Sequence, residues 1–333
     1  MSTTQTSSPL AAIGIGRGTI IMVGAIALST FGLANAGTAA AEAPAIDATV
    51  TDGTLQISGT PHADRITLRL SAADPNRLEV DARDDGSADF SVDRSTFAAI
   101  DIAAGNGDDT IKIDERNGAF TTTERTTVFG GNGDDTFIGG SGAELFFGGR
   151  GNDFTDPNGG ADTAFLGQGN DTFVWDPGDA SDTVEGENGT DTLVFNGSGG
   201  NEFMAATPAA GGRVLFTRNL GGIIMTLDDV ETIDVNARGG SDTISVNDVT
   251  GTDLTRVNVD LAGTVGRVAV AGTAGDDTVA VDANGGAVDV EGLAAAVRIT
   301  NADPATDELV VGADIDHVTL DPALAGLIQV AVL

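Results

Sequence analysis

The chain has 333 residues, with 50 Asp and Glu against 16 Lys and Arg, so its formal charge is −34. That balance excludes a general nucleic-acid binder, because phosphate contacts need a basic face. The lack of cysteine excludes a disulfide framework, thiol catalysis and a cysteine zinc site, and two histidines leave little for a histidine-rich catalytic centre. The acids are mostly Asp, and aromatics make up only 5%. Small, repeated apolar residues suit thin stacked layers that each bury little.

In chain order, residues 1–36 read as a signal peptide. Arg17 supplies positive charge, Thr19–Leu33 is an apolar run, and Ala34-Asn35-Ala36 has the form of a cleavage site. The run is short for the ~20 residues that span a bilayer. A second small-residue cluster, Thr38–Ala43, leaves the cut position open. No later segment is apolar enough to span. The expected location is therefore extracellular or cell-surface, with no membrane span after cleavage.

Residues 37–103 read as an N-terminal β region. His62 falls in its turn Ser58-Gly59-Thr60-Pro61-His62-Ala63-Asp64 and is read as a loop residue rather than a ligand.

The region 104–195 carries a repeat. Five contiguous nonapeptides run from Gly130 to Val174: GGNGDDTFI, GGSGAELFF, GGRGNDFTD, PNGGADTAF and LGQGNDTFV. The sixth position is always an acid: Asp135, Glu144, Asp153, Asp162 and Asp171. An insertion around Trp175–Ala180 shifts the next acid to Asp182, and Asp191 follows in GENGTDTLV. An earlier copy, AGNGDDTIK, carries Asp109. The glycine-rich half of each unit can take φ > 0 and turn sharply. The other half is a short strand whose central residue points inward. The inward candidates are Phe137, Phe146, Thr155, Ala164, Phe173 and Leu193.

Two nonapeptides complete one coil, so every second acid stacks on the same edge. One edge is expected to carry Asp135, Asp153, Asp171 and Asp191; the other Glu144, Asp162 and Asp182. Carboxylates ~5 Å apart at an effective dielectric of ~20 repel by about 3 kcal/mol per pair. Cations between them would relieve that, and Ca²⁺ accepts six to eight oxygens, turn carbonyls included. The alternative is that each Asp only caps its own turn through local hydrogen bonds. The first edge keeps its glycines, whereas the second departs from the pattern at Glu144 and Pro157, so the first is expected to hold ions more tightly.

These units resemble the glycine- and aspartate-rich nonapeptide of the RTX, or hemolysin-type, calcium-binding repeat family of secreted bacterial proteins. The resemblance covers about 104–195. It implies an all-β parallel β-roll, or β-helix solenoid, with Ca²⁺ as cofactor. It also implies a calcium site built from the acids Asp109, Asp135, Glu144, Asp153, Asp162, Asp171, Asp182 and Asp191. The turn glycines Gly131, Gly133, Gly149, Gly151, Gly167 and Gly169 belong to the same site.

Residues 196–333 read as a degenerate β-repeat region. Asp-Thr followed by an apolar residue returns at Asp242 and Asp277, between strand-like segments such as Val257–Leu261 and Val268–Val270. The nearest helix candidate is Leu293–Val297. Continuation of one solenoid through both flanks is favoured over separate sandwiches. His317 is read as a strand-edge residue and the terminal LIQVAVL as a last strand.

Catalytic motifs are missing: there is no H-E-x-x-H, G-x-S-x-G or P-loop lysine. Trp175, the sole tryptophan, is read as a core or edge plug rather than a sugar platform. The expectation is a non-enzymatic, secreted calcium-binding protein whose folding is coupled to extracellular calcium. The alternatives are an adhesion or matrix protein with purely structural calcium and a cell-surface partner, and a carbohydrate-active β-helix enzyme.

Overall fold

The structure, a computed structural model, describes residues 45–312 and 314–333. The signal peptide expected at 1–36 lies outside the described residues. The described chain is all-β, with short 3₁₀ turns and no α-helix. Two 14-stranded sheets face each other.

Through the middle of the chain the path is regular. Strands Arg125–Asn132, Glu144–Arg150, Thr163–Gly169 and Thr183–Gly189 lie parallel in the first sheet. Their successors Thr136–Ile138, Phe154–Asp156, Thr172–Trp175 and Thr192–Asn196 lie parallel in the second. This is a parallel β-roll.

The inward rows follow from the period-2 alternation of each short strand. In the first sheet Ile102, Val128, Phe146, Ala164, Val184 and Leu227 stand in register. In the second, Ile111, Phe137, Thr155, Phe173, Leu193 and Ile233 do so. All six inward candidates are buried. Each buried phenylalanine contributes about 1.5–3 kcal/mol, so the roll gains its stability in thin, repeated increments. Trp175 belongs to this core. It is fully buried, stacks on Phe195 at 4.2 Å between centroids, and donates its Nε1–H to the Ala180 carbonyl at 2.7 Å.

Both flanks continue the same two sheets. The first sheet runs unbroken from Asp47–Thr51 to Gln329–Val332, the middle of the terminal LIQVAVL segment. The irregularity lies in three antiparallel meanders. One is Arg65–Leu70, Arg77–Asp81 and Phe90–Asp93 at the N-terminal end. Another is Phe203–Pro208, Val214–Arg218 and Ile223–Asp228. The last is Thr278–Asn284, Ala287–Glu291 and Ala296–Thr300. The middle one takes up an insertion without breaking the stack. Its third strand pairs back onto Thr183–Gly189, while its first pairs forward onto Gly240–Val246.

Leu293–Val297, the nearest approach to a helix in a sequence read as β throughout, forms no helix. Ala295 is buried before strand Ala296–Thr300 begins, and Val297 and Ile299 alternate inward from that strand. The β-branched pair at period 2 outweighs the short alanine run. His62 is exposed in its turn, and His317 opens the edge strand His317–Leu320. Among the described residues, no helix is long and apolar enough to cross a membrane.

A candidate metal centre at the turns

The acids gather into two rows at opposite edges of the roll. Where the chain passes from the first sheet to the second, Asp109, Asp135, Asp153, Asp171 and Asp191 stack. Each accepts, through Oδ1, the backbone N–H of the acid one coil earlier. The distances are 2.9 Å from Asp109 to Asp135, 2.8 Å from Asp135 to Asp153, 2.6 Å from Asp153 to Asp171 and 2.8 Å from Asp171 to Asp191. Asp64 and Glu231 extend the row at its two ends, as donor to Asp109 at 2.7 Å and as acceptor from Asp191 at 2.7 Å. On the return edge Glu144, Asp162 and Asp182 form the same ladder, at 2.6 and 2.9 Å. The spacing of alternate acids thus sorts them as the sequence indicates. The ladder hydrogen bonds run between coils, however, and among the eight expected ligand acids only Glu144 also bonds within its own turn. A peptide N–H between successive carboxylates softens the repulsion that bare stacking would bring.

Each carboxylate has a second oxygen, and its fate divides the turns into two kinds. Asp109, Asp135, Asp153, Asp162, Asp171, Asp182 and Asp191 are at most 3% exposed, and in each Oδ2 is buried with no hydrogen-bond partner. Asp242, in the C-terminal flank, is the same. In Asp64, Glu202, Asp277 and Asp307 the corresponding oxygen accepts the N–H of the residue four earlier. The donors are Thr60, Ser198, Thr273 and Asp303, at 2.5 to 3.0 Å. In three of these turns a Ser or Thr hydroxyl at the donor position grips the carboxylate as well.

Backbone geometry four residues before the acid explains the division. Before every open carboxylate that residue has φ > 0: Gly105, Gly131, Gly149, Asn158, Gly167, Gly178, Glu187 and Arg238. The left-handed conformation carries its N–H out of reach, and glycine adopts it without strain. Before every closed carboxylate that residue is absent from the left-handed region. Glu144 is intermediate. Its Oε2 takes the Gly140 N–H at 3.1 Å, while Oε1 has no partner.

Several glycine positions are fixed by close approach. A Cβ on Gly130 would meet the Gly148 carbonyl at 2.7 Å and press on Asp135 Oδ2; one on Gly186 would lie 2.6 Å from Asp191 Oδ2. At Gly133, Gly151 and Gly169 a Cβ would collide with the carbonyl of the glycine one coil back. Gly131, Gly133, Gly149, Gly151, Gly167 and Gly169 all have φ > 0, as the repeat leads one to expect.

Burial, followed by the neighbouring acids, drives the carboxyls upward. Asp109, Asp153 and Asp191 are pushed up to about 7, Asp135 to about 6, Glu144 and Asp182 to about 7, and Asp162 to about 9. Asp171 is also raised, chiefly by burial. The orphaned oxygens, out of water and without donors, therefore fit a hard, oxygen-seeking cation.

Sequence reasoning missed three features here. One is an outer ladder at the position before each acid. There Asp134, Asn152, Asn170 and Thr190 donate N–H to the side chains of Asp108, Asp134, Asn152 and Asn170, at 2.6 to 3.0 Å. It runs opposite to the inner ladder, and the recurring Asn or Asp before the acid was its signal. Another is the open turn at Asp242, visible in the sequence only as GGSD. The third is a group of Asp228, Asp229 and Asp253, which no spacing rule connects.

Residues 121–154 and 158–174 match the model of the RTX calcium-binding nonapeptide repeat, in four copies. No curated protein matches the chain.

Proposed function

From the RTX calcium-binding nonapeptide repeats that this chain carries, we propose a secreted, non-enzymatic protein that binds Ca²⁺ in its turns and completes its fold on reaching extracellular calcium. The observation that supports it most is the set of eight buried Asp Oδ2 atoms with no partner, each four residues after a residue with φ > 0. Asp109, Asp135, Asp153, Asp171 and Asp191 would hold ions along one edge, and Glu144, Asp162 and Asp182 along the other. The glycines Gly131, Gly133, Gly149, Gly151, Gly167 and Gly169 shape the turn backbone around them. Bound calcium supplies positive charge; the chain supplies pre-aimed oxygens and excludes water.

Without cations at neutral pH, the fold must either ionise unpaired carboxyls or hold protons on them. Both oppose folding. Extracellular calcium modules bind at ~10⁻⁴–10⁻³ M, and a site at tenfold excess adds about 1.4 kcal/mol. Several such sites amount to a large share of a domain's 5–15 kcal/mol. The burial of Trp175 removes the residue that a sugar-binding surface would use. The reading gives the chain no catalytic role.

The test is far-UV circular dichroism of the chelator-stripped chain during a calcium titration, with magnesium as control. A cooperative gain of β signal near millimolar calcium, and none with magnesium, is expected. A spectrum indifferent to calcium would overturn the reading.

A further inference from the structure

The first-edge row does not stop at the last nonapeptide. Turn Asp228–Glu231 lies directly over turn Gly186–Asp191, because Glu185 pairs with Asp228 and Thr192 with Thr232. The loop Asn247–Thr255 lies over that in turn. Strand Arg256–Asp260 pairs with Thr232–Asn236, and the N–H groups of Thr255 and Arg256 both reach the Glu231 carbonyl. These two turns contain no nonapeptide and fall outside the residues that match the repeat family. We propose that they form a further calcium site, in which Asp228, Asp229 and Asp253 are the carboxylate ligands. It rests on the reading that the roll takes calcium.

The three side chains come from two different coils, yet each offers an oxygen within 4.8 Å of the other two. Oxygens ringed about a single ion at 2.3–2.6 Å are that close. An independent observation comes from below. Asp191 is fully buried and its Oδ2 has no partner. That oxygen faces the overlying turn: a Cβ on Gly186 would lie 2.6 Å from it and closer still to the Asp229 carbonyl oxygen. A buried carboxylate without a partner thus lies beneath the carbonyl of the turn that carries Asp228 and Asp229.

The charges around them are one-sided. Glu187 and Glu231 join the group, and each is raised by burial and then by its acidic neighbours, Asp229 among them. The cation at hand is Arg213. Its Nη2 is held 2.6 Å from Glu185 and reaches Asp228 Oδ2 at 3.1 Å. It pairs with one oxygen of Asp228 and favours the ionised form of Asp229 through space, but forms no ion pair with Asp229 or Asp253. Asp229 and Asp253 are exposed, so an ion can enter from solvent. A shallow, irregular set of carboxylates suits Ca²⁺ with its flexible coordination, and not Mg²⁺ with its strict octahedron.

Bound calcium per chain is to be measured by equilibrium dialysis for the wild type and for Asp229→Asn/Asp253→Asn. Asn keeps the φ of +50° at position 229. The double variant should bind one ion fewer, with an unchanged circular dichroism spectrum at saturating calcium. An equal number of ions overturns the site and leaves the nonapeptide reading standing. A wild type that binds no calcium overturns both. If the double variant fails to fold, Asp253→Asn alone decides. One affinity weakened at least tenfold is expected, and an unchanged set of affinities sinks the proposal.

Discussion

At the scale of one residue, an acid in these turns is self-contained or open, with Glu144 between the two, and the residue four positions earlier decides which. Asp277 is closed by the N–H and hydroxyl of Thr273, at 2.7 and 3.0 Å. Asp153 has only the inter-coil bond from Asp135 and an uncovered Oδ2. Asp153→Asn should therefore remove an ion, whereas Asp277→Asn should leave calcium binding unchanged and cost about 1–3 kcal/mol through lost buried hydrogen bonds. Isothermal titration of both variants checks the contrast, and a similar loss of binding in each would refute the division. The glycine in front of the acid is as constrained. A Cβ on Gly148 would press on both Asp153 Oδ2 and the Leu166 carbonyl. Gly148→Ala should lower stability by about 1–3 kcal/mol through overpacking, seen as a fall in Tm with calcium present. The same change at Gly53, where nothing lies within 4 Å, meets no clash and costs only the strain of a side chain at φ +77°.

At the scale of the element, the two edges differ in how many turns are regular. On the first edge, the open acids from Asp109 to Asp171 follow a glycine with φ > 0, and Asp191 follows Glu187. On the second, Asn158 replaces glycine before Asp162, and Glu144 already spends one oxygen on the Gly140 N–H. Asp153→Ala should thus cost more calcium affinity than Glu144→Ala, and equal losses would sink the distinction. The strand rows, the two edges and the inward phenylalanines were legible because nine residues repeat without slippage from Gly130 to Val174. A fixed period converts spacing directly into register. The meanders were not legible. Nothing local in Val214–Arg218 marks it as antiparallel; that is set by where the roll resumes, at Gly240–Val246. The open turn at Asp242 escaped for a related reason. Arg238 holds the left-handed conformation there in place of glycine, so the motif's signature residue is missing while its geometry persists. Asp228 and Asp253 meet only through stacking of coils, which a linear pattern does not express.

For the whole molecule, the buried rows make stability depend on pH and on calcium together. An acid free in the unfolded chain titrates near 4. In the fold, burial pushes Asp109, Asp153, Asp182 and Asp191 to about 7, and Asp162 to about 9. The folded chain therefore holds more protons than the unfolded chain between those values. Stability from a raised carboxyl is complete below the unfolded pKa and is lost as pH rises through the folded one. The calcium-stripped chain should thus be more stable at pH 5 than at pH 8, with the loss concentrated between about pH 4 and 7. Calcium reverses the dependence, because it binds the ionised form and must displace the protons. Above pH 7 calcium should raise Tm by its largest amount, and at pH 5 by its smallest. Thermal melts of the same chain at pH 5, 6.5 and 8, with chelator and with millimolar calcium, measure both slopes. If the stripped chain instead gains stability from pH 5 to 8, the carboxylates already have partners in solution, and the rows are not waiting for a cation. Competition of protons and calcium for the same buried oxygens shows as two sets of melts that draw together at pH 5 and diverge as pH rises. That competition distinguishes these rows from surface acids such as Asp93, whose carboxyl is held below its usual range by Ser95 and would respond in the opposite sense.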